Sequence, residues 1–438
     1  MNGNSTNPES PATSLSWSAR WLVLVAGCLS WMCAGWQLAI TSLAMRDAAV
    51  SLLSSDEEKQ IAIWFGRLTC ALLLGAATGG YLLGWIGDRY GRTRALAVSV
   101  LVYSIFSAAA VYARNPTELW LLRFLACLGV GGSWPNAVAL VSEAWPNISR
   151  PLLAGALGTA ANVGVMMISY LARLQPISAD NWHWVMWLGA SPLLLAASIA
   201  AFVPESPNWL RLKRKELASR SAPHSQPVSE KPAGLADIFQ PSMIGTTLLA
   251  ILLGAIPLFG GWGNSNWVMP WAAEVGDPVL KADLQLARSL PGTISSLLGG
   301  ALAAWLGRRR SYLLLSVAAL VCGEVLFTFL NPRDDRGAFL FWYAALGFFS
   351  GFYFGWLPLC LPELFPTRLR SVGAGVGFNW GRILTAVGVA WTSEMMNYFG
   401  GGYARVGQVT SLVYGLGILI IFFMPDTSRR ELSEASPH

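Results

Sequence analysis

The sequence predicts an all-α integral membrane protein with twelve transmembrane helices in two pseudo-symmetric six-helix halves. Three observations predict it: twelve apolar runs of bilayer-spanning length, features that recur between the halves, and basic residues concentrated in alternate loops. Of 438 residues, 54% are hydrophobic and 12% charged, whereas a soluble domain carries roughly a quarter charged residues. The mean hydropathy is +0.47. A formal charge of +6 would suggest nucleic acid in a soluble chain. Here the basic residues sit in short loops between apolar runs, so the partner expected is the lipid bilayer and no nucleic acid.

About 20 apolar residues cross a bilayer. The runs fall at 21–45, 61–86, 95–114, 118–143, 151–172, 183–203, 242–268, 284–306, 311–330, 338–361, 371–396 and 404–424. The first is too long for a signal-peptide core and lacks a cleavage site, so it is expected to be kept. The one long polar break divides the chain. The expected organisation is an N-terminal tail 1–20, a first half 21–203, a linker 204–241, a second half 242–424 and a C-terminal tail 425–438. With both termini cytoplasmic, the inner segments hold 18 Lys and Arg and the outer loops eight. That asymmetry predicts a multi-pass protein of the cell (inner) membrane with termini inside. The remaining four of the 30, Arg67, Arg123, Arg288 and Arg382, lie within apolar runs.

All six cysteines fall inside apolar runs without a CxxC pair and read as small core residues. The three histidines are scattered, and no phosphate-binding loop or nucleophile motif occurs. No metal, no cofactor, no catalytic residues and no enzyme activity are expected. The sequon at Asn147 faces the cytoplasm on this topology and is expected to stay unmodified.

Three features repeat at nearly constant offset, which indicates duplication. The charged turn GWIGDRYGRTR, residues 84–94, is matched at Gly300, Gly307 and Arg308, 216 positions on, with Ala304 in place of its aspartate. Glu143-x-x-Pro146-x-x-x-Arg150 recurs 220 positions later as Glu363-x-x-Pro366-x-x-x-Arg370. Pro204-Glu205-Ser206 returns as Pro425-Asp426-Thr427, 221 positions on.

The spacing G-x-x-x-D-R-x-G-R-x-R at 84–94 resembles the loop between helices two and three of the major facilitator superfamily. Within it, Arg123 followed by Gly129, Gly131 and Gly132, with PESPNWL at 204–210 and PELFPTRLR at 362–370, is similar to the group of sugar porters, organic ion transporters and aromatic acid symporters. In the seventh run sugar porters show paired glutamines and an asparagine. This chain reads GNSNWVMPW from Gly263, and Asn266, Trp267 and Pro270 are similar to the organic acid pattern. The resemblance implies a monomeric secondary transporter of a small-molecule substrate, an organic anion, working by alternating access and as a proton symporter. A sugar or polyol carrier of the same fold and a non-transporting membrane sensor are the alternatives.

An arginine near mid-bilayer is costly unless paired or facing water, so it marks a functional candidate. Arg382 lies 12 residues after Arg370, about 18 Å into the membrane. A guanidinium there can hold a carboxylate through two parallel hydrogen bonds. Its counterpart in the first half is Asn162, 220 positions earlier. Aromatic and amide side chains at similar depth complete the candidate substrate set: Trp36, Gln37, Asn136, Asn264, Asn266, Tyr353, Trp356, Asn379 and Trp380, with Trp134 beside them.

Arg123 is expected by resemblance to take part in proton coupling, yet the acid its first-helix partner should supply is replaced by Gln37. Glu324 is the other coupling candidate, or else a structural partner of Arg382. By the same resemblance Asp88, Arg89, Arg92, Glu143, Arg150, Glu363 and Arg370 are expected to form a cytoplasmic gate between the halves.

Overall fold

The computed structural model describes residues 15–53, 58–148, 150–221, 235–277, 279–366, 369–398 and 402–425. Among them twelve long helices form the protein, and no strand occurs. In chain order they are α1 (Trp17–Leu53), α2 (Glu58–Tyr90), α3 (Arg92–Ala110), α4 (Pro116–Ala144), α5 (Arg150–Leu174), α6 (His183–Phe202), α7 (Ile244–Glu274), α8 (Leu280–Leu306), α9 (Arg308–Phe329), α10 (Arg336–Glu363), α11 (Arg370–Tyr398) and α12 (Tyr403–Phe423). Eleven are long and apolar enough to cross a membrane; α11, which carries Asn379, Arg382 and Glu394, falls outside that apolar class among the described residues. We call the end of the bundle where α6 and α7 are joined the linker end, and the opposite one the far end.

Local sequence sets the boundaries. Asn115 caps α4 by accepting from the Glu118 N–H (2.9 Å), with Pro116 at the first helical position. Gly91 ends α2 at φ 119° and Gly307 ends α8 at φ 84°. These are the two glycines that match in the repeated motif, and the left-handed backbone both need is what preserves them. The polar linker also holds a helix, Pro207–Ser221. Ser206 accepts from the Trp209 N–H (3.1 Å), and Pro207 follows it, the usual start of a helix.

The packing repeats as well. In the first half α2 packs on α4 and α1 on α5; in the second α8 packs on α10 and α7 on α11. Small residues allow the close crossings. A Cβ on Gly131 would come within 2.0 Å of the Ala76 carbonyl oxygen, and one on Gly355 within 2.1 Å of that of Ser296. Each half has its own core, one set drawn almost wholly from residues 238–424 and two from 23–203. The halves meet along two seams, α2 on α11 and α5 on α8.

Helix α7 is interrupted. Residues Phe259–Asn264 form a π-helical turn between Ile244–Leu258 and Ser265–Glu274. Such turns shift the hydrogen-bond register and often mark functional positions. This one holds three glycines and follows Pro257.

Gly131→Ala should force α2 and α4 apart and cost on the order of 1–3 kcal/mol. Gly300→Ala, with nothing within 4 Å of the added methyl, should be neutral or gain up to about 1 kcal/mol from helix propensity. The melting temperature in detergent should therefore fall for Gly131→Ala and hold or rise for Gly300→Ala; equal shifts would mean that the crossing does not depend on Gly131.

Candidate substrate site and gates

Arg382 stands on α11 at the seam with α2. Its Nη1 donates to Asn379 Oδ1 (3.0 Å), one turn earlier on the same face. Gly80 of α2 makes room for that amide, since a Cβ there would meet Asn379 Oδ1 at 2.9 Å. Tyr81 adjoins it and donates to the Gly375 carbonyl oxygen (3.5 Å). Gly80 and Tyr81 were not among the expected site residues. A cleft of about 420 Å³ lined by Ala77, Thr78, Tyr81, Leu82, Trp85 and Ile383 opens beside them on the outer wall of the bundle. Leu82 and Trp85 are exposed there, so the apolar cleft suits an acyl chain rather than a carboxylate.

The expected site residues divide into three groups. Trp36 and Trp134 lie half-buried in the first half, with the Trp134 ring 4.9 Å from that of Trp31 and 3.9 Å from the position a Gly158 Cβ would take. The Trp31 and Trp36 indole N–H groups have no hydrogen-bond partner among the described residues. Asn162 on α5 is likewise half-buried.

A second group is packed inside its own half. Asn136 donates to the Leu83 (3.0 Å) and Gly132 (2.8 Å) carbonyl oxygens and ties α4 to α2. Tyr353 bonds Ser316 (2.7 Å), and Trp356 lies edge-on to Tyr312. Asn264 donates to Ser411 Oγ (2.8 Å). Trp380 stands apart as the third group: it is 41% exposed, and its ring meets Phe239 edge-on. The Asn266 side chain lies outside the described residues.

Arg123 sits in a closed network. Its Nη1 donates to Gln37 Oε1 (2.8 Å), and its Nη2 donates to the Gln37 carbonyl oxygen (2.8 Å) and Thr41 Oγ1 (3.2 Å). Gln37 Oε1 also accepts from Ser107 (2.9 Å), while Gln37 Nε2 donates to the Gly189 carbonyl oxygen (2.9 Å). The node joins α1, α3, α4 and α6 through neutral acceptors. Glu324 is half-buried on α9, and its Oε1 has no hydrogen-bond partner among the described residues. Helix α9 packs mainly on α10 and α12; the ion pair of Glu324 with Arg382 is not among those the described residues form.

Among the described residues, the charges at the linker end join residues of one half. Asp88 pairs with Arg92, and Arg89 lies over the rings of Trp85 (5.6 Å) and Tyr90 (5.8 Å). Ser206 donates to Glu143, and Glu205 accepts from the Thr93 N–H (3.0 Å). The motif spacing suggests Glu363 with Arg370, but Glu363 bonds Arg308 (3.1 Å) and Arg370 donates to the Phe365 carbonyl oxygen (3.4 Å). Arg308 begins α9 beside the end of α10, so it reaches the carboxylate first. The Arg150 side chain lies outside the described residues.

At the far end, bonds cross between the halves. Lys281 on α8 pairs with Asp47 on α1 (2.5 Å), both buried or nearly so. Arg173 on α5 pairs with Asp283 on α8 (2.7 Å), which Arg336 also holds (2.8 Å). Glu58 on α2 pairs with Arg46 (2.5 Å) and accepts from Tyr403 on α12. Sequence reasoning missed all of these residues.

Comparison with known proteins fits this architecture. The family model of the Major Facilitator Superfamily matches residues 23–389. The cis,cis-muconate transport protein of Acinetobacter baylyi is 28% identical over 74% of this chain and 76% of its own. The niacin transporter NiaP of the same organism is 25% identical over 82% and 84%. The 4-hydroxybenzoate transporter PcaK of Pseudomonas putida is 35% identical over 34% of each chain. Among solved structures, the xylose transporter XylE from E. coli superposes with a TM-score of 0.73 at 18% identity, covering 95% of this chain and all of that one, a likeness of fold. The chain therefore belongs to the Major Facilitator Superfamily, as a multi-pass membrane transporter rather than an enzyme.

Proposed function

We propose that the protein moves a small organic anion, a carboxylate, across the cell membrane by alternating access, with Arg382 as the residue that holds it. One observation carries this reading: the Arg382 guanidinium lies about 18 Å into α11, at the seam between the halves, with the neutral amide of Asn379 as its hydrogen-bond partner. An amide leaves most of the five guanidinium donors for a carboxylate, which takes two of them side by side. The relatives support the reading, since muconate, niacin and 4-hydroxybenzoate all carry carboxylates. Trp36 and Trp134 supply flat apolar walls for the rest of such a ligand.

The linker end is the cytoplasmic end in this reading, as the surplus of basic residues there favours. The cross-half pairs at the far end then form an outer gate in its shut state. The linker-end pairs, each within one half, leave the cavity free to face the cytoplasm. The protein acts as a monomer. Proton coupling, in this account, runs through Glu324, because Gln37 and Thr41 around Arg123 do not titrate in the physiological range.

Purified Arg382→Gln should lose most of the thermal stabilisation that benzoate or nicotinate gives the wild type, and Arg382→Lys should keep part of it, since a ligand bound only by the folded state raises its melting temperature. Equal stabilisation of wild type and Arg382→Gln would sink the assignment.

Replacing Asp47 by Asn should weaken the outer gate, because Lys281 then has no counter-charge and is better placed in water. Spin labels at Tyr112 and Asp334, exposed in the far-end loops of the two halves, should report a longer and broader distance in Asp47→Asn than in wild type. An unchanged distribution would remove Asp47 and Lys281 from the gate.

In proteoliposomes, Glu324→Gln should abolish the acceleration of uptake by an inward proton gradient while leaving exchange of substrate for substrate intact. Acceleration that persists in the variant would place coupling elsewhere.

A further inference from the structure

A second arginine within the membrane, Arg288 on α8, has surroundings unlike those of a structural brace. Its Nη2 donates to the Gly261 carbonyl oxygen in the π-helical turn of α7 (3.0 Å), and its guanidinium lies over the Tyr343 ring at 5.9 Å. The ion pairs formed among the described residues do not include it. Beside the same turn one further donor is unmatched. Tyr414 is fully buried with its hydroxyl against Gly260, where a Cβ would come within 2.4 Å, and that hydroxyl has no hydrogen-bond partner among the described residues. A buried polar group without a partner is costly, and the remaining Arg288 donors with the Tyr414 hydroxyl beside one turn suit an acceptor that carries negative charge.

We propose that Arg288 and the Tyr414 hydroxyl form a second anion subsite, so that the preferred cargo is a dicarboxylate, one carboxylate held by Arg382 and the other by Arg288. The proposal rests on the assignment of Arg382 above. Both arginines lie beside α7: Arg288 bonds the Gly261 carbonyl oxygen, and Gly381, next to Arg382 on α11, packs on the same helix nearer the linker end, where an added Cβ would lie 3.0 Å from the Ala255 backbone nitrogen. Arg288 precedes the linker end of α8 by 18 residues, so it lies about 27 Å from that end against about 18 Å for Arg382. The difference of about 9 Å along the membrane normal is within reach of a six-carbon dicarboxylate and two extended arginine side chains. Binding has a mechanical consequence. A carboxylate that takes the guanidinium from the Gly261 carbonyl withdraws one side-chain bond to the π-helical turn, so cargo and the interruption of α7 share one contact.

Adipate and hexanoate test this, being the same six-carbon chain with two carboxylates and with one. Affinities of purified wild type, Arg288→Gln and Arg382→Gln are measured by calorimetric titration in detergent. Wild type should bind adipate about tenfold or more tighter than hexanoate, a charge-assisted contact being strong enough for that ratio. Arg288→Gln should bring the ratio close to one with hexanoate affinity kept, and Arg382→Gln should weaken both ligands. Tyr414→Phe, a change of one buried hydroxyl, should lower the ratio in part and serves if Arg288→Gln does not fold. A wild-type ratio near one, a ratio unchanged in Arg288→Gln, or an equal loss of both ligands there overturns the second subsite while leaving Arg382 as the anion site. Failure of both acids to bind wild type, or unchanged binding in Arg382→Gln, overturns the carboxylate reading itself and the subsite with it.

Discussion

A guanidinium inside hydrocarbon must be given acceptors or water, and the way this chain meets that constraint organises much of its structure. Arg123 is met completely. Gln37 offers it both a side-chain and a backbone oxygen, Thr41 a hydroxyl, and Ser107 and Gly189 fix the glutamine in turn. A carboxylate at position 37 would give a pair able to open and close with protonation, whereas an amide gives a permanent brace across α1, α3, α4 and α6. Arg382 and Arg288 are met sparsely, one by a single amide and one by a single carbonyl and a ring. The contrast separates a cation that holds a half together from cations with donors to spare for a ligand.

The rest of the fold keeps Arg382 where the halves meet, while Arg288 is held against α7 and α10 of the second half. Each half has its own core, and the α2–α11 seam is thin by comparison, with Cys70, Leu73, Ala386 and Val389 forming its small buried cluster. Alanine, cysteine and glycine along a seam let two helices slide without unlocking large interdigitated side chains. Within each half the glycine-mediated crossings of α2 on α4 and α8 on α10 do the reverse: they bring backbones into contact and resist relative motion. Hard halves and a soft seam are what a rocking movement needs.

The spans and the duplication were legible because they depend on composition and on backbone geometry. Gly91 and Gly307 stand at matched places in the repeat, and both adopt a positive φ that favours glycine. The depth of Arg382 within α11 was legible from its distance to Arg370. Depth does not fix direction, however, and Trp380 shows the cost: two residues from Arg382 on a helix of 3.6 residues per turn, it points some 200° away and faces outward, whereas Asn379, three residues away, shares the arginine's face. The π-helical turn was not legible, because a change of period reflects how α7 packs on its neighbours more than which residues it contains. The far-end pairs were hidden for another reason. Asp47 and Lys281 are 234 positions apart, and a charge near a helix end looks ordinary until its partner is placed opposite.

The chemistry of the two contact types also suits their places. A far-end contact made of apolar side chains would have to expose hydrocarbon to water each time it parted. One made of Asp47 with Lys281 and Arg173 with Asp283 separates into ions that water solvates, so the Coulomb energy lost is largely returned as hydration. If these pairs act as the proposed outer gate, it would favour its shut state weakly and open without aggregation-prone surface. The α2–α11 seam, with its apolar cluster of Cys70, Leu73, Ala386 and Val389, is covered in this structure. Polar contacts where the bundle opens and apolar contacts where it pivots let a modest difference in binding energy at the centre decide which end is open, and a ligand can shift such an equilibrium only by its differential affinity for the two states.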